Sequence, residues 1–134
     1  MLAEWWEDLA TGHASIDNPK RELFRKINCL LAACEERNGR AEVGNLLRFL
    51  KSYGATHLKE EESFQLRHRY PRYQEHREEH DAFIQRLAAV EEQLRTEGPT
   101  LLVILNAGKL ALDWVKDHIY QSDKMMAEFV TNCA

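Results

Sequence analysis

Residues 70–83 read YPRYQEHREEHDAF, and the spacing inside that stretch decides the fold. His76 and His80 stand four residues apart, so on an α-helix their imidazoles lie on one face. The stretch HLKEE over 57–61 repeats the interval with His57 and Glu61. A third stretch, WVKDHIYQSD over 114–123, adds His118 and Asp123. Three helices that turn four imidazoles and two carboxylates inward can enclose a pair of transition-metal ions, so a metal-binding helical bundle is the first expectation.

Around these stretches the chain divides into helical segments with short joints. Residues 1–18 form an arm with Trp5 and Trp6, closed by the turn-like Asp17-Asn18-Pro19. Pro19 suits the first position of a helix, with Asn18 or Asp17 as its cap. The first helix is expected over RELFRKINCLLAACEER at 21–37, where Leu23, Ile27, Leu30 and Leu31 make an apolar stripe and Asn38-Gly39 is the stop. The second is expected over 40–68, through Val43, Leu46, Leu47, Leu50 and Tyr53 to His57 and Glu61. Gly44 and Gly54 weaken it locally, although small residues also permit close approach. Tyr70-Pro71 marks the corner before a third helix over 72–96, with Phe83, Ile84, Leu87 and Val90 beside its histidines.

Glu97-Gly98-Pro99 then punctuates, and Pro99 again opens a helix, the fourth, over 100–121. Its stripe is expected to run through Leu101, Leu105, Leu112, Val115 and His118, and residues 122–134 form a short helical tail. These segments predict an all-α fold, an antiparallel up-down-up-down four-helix bundle with an N-terminal arm and a short C-terminal helical tail, as one domain over 1–134.

A chain of 134 residues can bury a core without covalent staples. Its net charge of -4 provides no basic footprint for nucleic acid or an anionic membrane, so neither is an expected partner. The start MLAEWWEDLA lacks the basic and apolar regions of a secretory leader, and no apolar stretch approaches a membrane span. Cys29, Cys34 and Cys133 are an odd set without CxxC spacing, which suits reduced thiols and a cytoplasmic location better than disulfides or a thiolate metal site.

Imidazole and carboxylate together suit iron, manganese, cobalt, nickel or zinc more than calcium or magnesium. His76 and His80 can chelate one ion with His118 crossing from the fourth helix, while His57 and Glu61 supply the facing wall. Ionised Glu61 and Asp123 in an apolar core are expensive unless a cation compensates them. His118 and Asp123 are five residues apart, about 140° around an ideal helix. They converge only if the helix ends or widens there, and such irregularities are common at functional sites. Plainer readings stand beside these: HREEH alone is often a solvated face, His68 reads as a surface residue, and His13 lies in the arm.

Taken in order, Trp5 with Gly12, Ile16-Asp17 and Glu22-Leu23-Phe24, then HLKEE, YPRYQEHREEHDAF and WVKDHIYQSD, resemble the hemerythrin family, specifically bacterial single-domain hemerythrins. The resemblance covers nearly the whole chain and extends to the aromatic neighbours of the ligands. It implies a four-helix bundle around a non-haem di-iron centre that binds dioxygen reversibly. One iron would carry His76, His80 and His118, and the other His57. Glu61 and Asp123 would bridge them, together with an oxo or hydroxo group. Leu58, Trp114, Val115 and Ile119 match positions that line or close the family's apolar ligand pocket, although Trp114 reads almost as well as simple core packing.

The departure is in the first helix. The family places a histidine three residues after the Asp of its Ile-Asp pair, as second ligand of the iron that receives dioxygen. Lys20 stands at that place here. Lys20 could coordinate as a neutral amine or snorkel to solvent, His13 could swing in from the arm, or the second iron could keep only His57, the bridges and water. Alternatively, only the three-histidine ion is held. A bound two-metal centre with an altered second ion is the expectation, in a non-enzymatic protein that transports, stores or senses dioxygen or another small diatomic ligand. The alternatives are peroxide or nitric oxide chemistry at one or two irons, and an iron-handling or structural bundle without reversible dioxygen binding. Oxygenase chemistry is disfavoured, because such sites use Glu-x-x-His motifs in two helices. No protein partner is indicated.

Overall fold

The computed structural model describes residues 3–132; Cys133 lies outside them. After a single 3₁₀ turn at Glu7–Leu9 come α1 (Ala14–Glu35), α2 (Gly39–Ala55), α3 (His57–Arg67), α4 (Tyr73–Glu97) and α5 (Leu101–Asp113). A π-helix over Trp114–Asp123 continues α5, and α6 (Lys124–Asn132) follows it without a joint. The bundle has four rods: α1, the α2–α3 pair, α4, and the α5–π–α6 rod. Neighbouring rods pack side by side around a core of Leu23, Ile27, Leu50, Leu58, Phe83, Leu110 and Val115, among others. The expected all-α bundle with its arm and tail is the observed architecture.

The first helix begins earlier than its proline suggests. Pro19 lies inside α1, and Asp17 does not cap it. The Asp17 carboxylate instead accepts hydrogen bonds from the Thr11 and Gly12 backbone N–H groups and the Thr11 hydroxyl, at 2.9–3.2 Å. It pins the arm and leaves α1 free to extend back to Ala14. The apolar stripe of α1 then reads Ile16, Lys20, Leu23, Phe24, Ile27, Leu30, so a lysine occupies an inward position of the helix.

The second expected helix is two helices. Thr56, at φ -114° and ψ -64°, interrupts it one residue before His57. The Thr56 hydroxyl donates to the Ser52 carbonyl at 2.8 Å, a back-bond of the kind that bends helices. Gly54 sits where α2 meets α4, and a Cβ there would lie 2.3 Å from Ile84 Cδ1. In α5 the inner face is Val103, Ile104, Ala107, Leu110 and Ala111. Leu101 and Leu105, expected in the stripe, face solvent. Pro99 does not open α5 directly; Thr100 caps it, accepting from Val103 N–H at 3.2 Å.

The arm docks on its own bundle. Trp6 stacks on Tyr120 with ring centroids 3.9 Å apart, and Trp5 packs against Phe24. Ala3 exchanges two backbone hydrogen bonds with the Asn28 amide, at 2.8 and 2.9 Å. Two helix ends close in the same way with arginine in the left-handed region. Arg37 has φ 60° and Arg69 φ 53°, and the next N–H reaches back to Ala33 and Gln65 carbonyls at 2.6 and 2.9 Å. Gly39, expected as a helix stop, is instead the first residue of α2, where a Cβ would meet Cys34 Sγ at 3.0 Å.

Left-handed backbone costs a residue with a Cβ roughly 1–2 kcal/mol, while glycine adds unfolded-state freedom worth about 0.5–1 kcal/mol. Arg69→Gly is therefore expected to raise the urea midpoint modestly; a lowered midpoint would show that the Arg69 side chain holds the corner.

Candidate metal centre

Every ligand candidate from the three long motifs is buried. His57, Glu61, His76, His80, His118 and Asp123 are each no more than 3 % exposed. α3 presents His57 and Glu61 one turn apart, immediately after the Thr56 break, and α4 presents His76 and His80 one turn apart. His118 and Asp123 converge because the helix widens: the π-helix runs from Trp114 to Asp123 and includes both. Bonds from residue i to i+5 bring side chains five apart onto one face, which an α-helix does not do. The required wide turn is thus present as ten residues of π-helix.

The two carboxylates divide the cluster into two sides. On one side, Glu61 Oε1 lies 2.7 Å from His76 Nε2 and 3.2 Å from His80 Nε2. Asp123 Oδ1 lies 2.9 Å from His76 Nε2 and 3.0 Å from His118 Nε2. On the other side, Glu61 Oε2 and Asp123 Oδ2 lie 2.6 and 3.3 Å from Lys20 Nζ, and His57 Nε2 is 3.6 Å from Glu61 Oε2. Lys20 is fully buried and does not snorkel. His13 is exposed at the start of α1, with its ring against Phe64 and His68, and does not join the cluster.

The first side fits a metal ion. Ligand atoms from Glu61, His76, His80 and His118 all lie within 4.8 Å of one another. His80 Nε2 and His118 Nε2 are buried without a hydrogen-bond partner, although carboxylate oxygens stand 3.0–3.2 Å away. They are near in distance and off-line in direction, so their in-plane valence is left for a cation. Two outer carboxylates set the tautomers. His80 Nδ1–H donates to Glu62 Oε2 at 2.8 Å, and His118 Nδ1–H donates to Glu79 Oε1 at 2.6 Å. Proton on Nδ1 leaves the Nε2 lone pair for metal. Ser122 Oγ donates to the same Glu79 oxygen at 2.7 Å.

Glu62 and Glu79 were not among the sequence candidates, though each adjoins one, Glu62 following Glu61 and Glu79 preceding His80. Leu58, Trp114, Val115 and Ile119 are all buried in the main core, and the Trp114 indole stacks on the His118 ring at 3.8 Å. Tyr53 and Trp114 leave their Oη and Nε1 without partners, and the Tyr53 ring packs 4.6 Å from that of His57.

Without metal, protons and Lys20 carry the positive charge. Burial opposes a charged His76, but hydrogen bonding to Asp123 and Glu61, with their negative charge, raises it from 6.5 to about 10. Burial likewise opposes a charged His118, and Asp123 and Glu79 outweigh it and raise its pKa. Burial pushes the Glu61 carboxyl up, yet Lys20 and the hydrogen-bonding histidines hold it well below the carboxylate range. Asp123 is lowered too: burial and Glu61 work against its charge, and His118 and Lys20 prevail. Burial would strip the Lys20 proton, and the two carboxylates hold it above the ordinary lysine range.

A folded pKa for His76 near 10 against 6.5 when unfolded means a stability contribution fully present below pH 6.5 and lost as pH rises through 10. A metal ion bound at His76 would have to displace that proton. Ferrous iron added to weakly buffered metal-free protein at neutral pH is expected to release protons and to bind more tightly as pH rises; pH-independent uptake would show that His76 is not a ligand. Glu79→Ala is expected to lower metal affinity about ten- to a hundredfold, measured by competition with a chelator, with the bundle's helix content kept.

Among curated proteins none matches the chain. The family model described as Hemerythrin HHE cation binding domain matches residues 11–130, which contain Lys20 and all six buried ligand candidates. With that match over most of its length and a buried Glu/His cluster able to hold metal, the chain belongs to the hemerythrin HHE cation-binding family.

Proposed function

We propose that this chain is a non-haem iron protein whose buried centre takes dioxygen or another small diatomic ligand, for transport, storage or sensing in the cytosol. The observation that carries the reading is the convergence of His76, His80 and His118 on one oxygen each of Glu61 and Asp123. Iron held there supplies an electron and an open coordination position to a small ligand. Leu58, Val115 and Ile119 keep the surroundings dry, and Trp114 covers His118. Glu62 and Glu79 hold two imidazoles in the metal-binding tautomer. The exposed, unpaired Cys29 and Cys34 accord with a reducing compartment, and no helix of the described residues is long and apolar enough to cross a membrane.

The family's di-iron centre with its second ion altered is one finer form of this reading, and a single iron at His76, His80 and His118 is the other. Lys20 favours a second one, a bundle that holds iron without reversible dioxygen binding, because an ammonium stands beside both carboxylates.

Protein purified with iron under reducing conditions is expected to retain iron and to show a visible absorption band that appears in air and fades when oxygen is removed. Retained iron with no oxygen-dependent band rejects the dioxygen reading and selects the iron-holding bundle. An iron-free product, after loading in excess, rejects both.

A further inference from the structure

Glu61 and Asp123 each use their two oxygens in opposite directions. The Oε1 and Oδ1 pair faces the three histidines, and the Oε2 and Oδ2 pair faces Lys20 Nζ, at 2.6 and 3.3 Å. Two carboxylates with one oxygen turned to each side form a double bridge between two cation positions. We propose that the Lys20 ammonium is the permanent occupant of the second position, so that the centre holds a single metal ion at His76, His80 and His118.

The residues around Lys20 do not fit a second metal. A dication bonded to Glu61 Oε2 and Asp123 Oδ2 would have to take the place beside those oxygens where Lys20 Nζ stands, 2.6 and 3.3 Å from them. Lys20 is fully buried and reaches in from the apolar stripe of α1, between Ile16 and Leu23 in sequence. The remaining candidate, His57, is 3.6 Å from Glu61 Oε2, and both its ring nitrogens are buried without partners. It is one imidazole where a metal position would need several ligands. His13, the other imidazole of the N-terminal region, is exposed beside His68 and Phe64. Charge gives the same answer. The ammonium already compensates one unit of the pair's negative charge, and a dication pressed against it would meet like charge in a buried interior. A lysine at this place is therefore a cation built into the chain, present before any metal arrives.

The inference rests on the iron reading of the three-histidine side, and the count of bound metal separates the two. Full-length protein is loaded with excess ferrous iron without oxygen, desalted, assayed for iron per chain, and oxidised for electron paramagnetic resonance. Wild type is expected to hold one iron and to give the signal of an isolated high-spin ferric ion. Lys20→His, which exchanges the cation for a ligand, is expected to rise to two irons and lose that signal to antiferromagnetic coupling.

Two irons in the wild type, or a silent coupled pair, overturns the proposal and leaves the iron reading intact. One iron in both proteins also overturns it, since the lysine is then not what excludes the second ion. No iron in either overturns the iron reading, and the proposal with it. Should Lys20→His fail to fold, the wild-type count and signal decide alone.

Discussion

Two ionised carboxylates lie buried between the four rods of this bundle, and the groups around them keep them charged. Neither Glu61 nor Asp123 reaches solvent to any useful extent. A bare buried carboxylate is costly enough that it would take up a proton or open the fold. Lys20 from α1, His57 from α3, His76 and His80 from α4 and His118 from the π-helix gather round the pair, so the charges tie together all four rods. The rest of the core can be ordinary leucine and valine packing because the polar problem is solved at one place.

The outer shell follows the same logic at lower cost. Glu62 and Glu79 come from the helices that carry the ligand candidates of α3 and α4, and each accepts a hydrogen bond from one imidazole. Glu79 is 42 % exposed and needs no buried counter-charge. Hydrogen bonds from His118 and Ser122 outweigh its partial burial and keep it ionised. Trp114 then lies flat on His118, so the ring is fixed by a hydrogen bond at one edge and by an aromatic face across its plane.

Much of this was legible in the residues. Pairs four apart, His57 with Glu61 and His76 with His80, needed only the helical repeat to be placed on one face, and the five-residue interval of His118 and Asp123 demanded a widened turn that the structure contains. The errors have local causes. Pro19 reads as a helix start, but Asp17 is committed to the arm and the helix begins at Ala14. Gly54 weakens the helix two residues before Thr56, but the break itself goes with the Thr56 back-bond to Ser52, which the residue pattern does not show. Leu101 and Leu105 drew the stripe of the fourth helix by size alone. Counting back from His118 by the helical repeat leads instead to Trp114, Ala111 and Ala107, which face inward. Lys20 was assigned to the missing ligand by resemblance; that it lies on the inner stripe, one turn before Phe24, is visible only once α1 is extended back through Ile16.

The π-helix has a consequence for how the chain holds its native register. Ten residues with the looser i to i+5 pattern have no intrinsic preference for it, and nothing in WVKDHIYQSD favours that pattern over an ordinary α-helix except the company its side chains keep. Reverting to α-helical winding would rotate Asp123 away from His118 and carry α6, with Met126 packed beside Phe64 and Tyr70, round the bundle. The last rod is therefore set at a distance, by electrostatics in the middle of the molecule. Amide hydrogen exchange along it would follow the charge state of the centre more closely than its own sequence. The buried anion pair of Glu61 and Asp123 thus acts as the latch for the C-terminal helix.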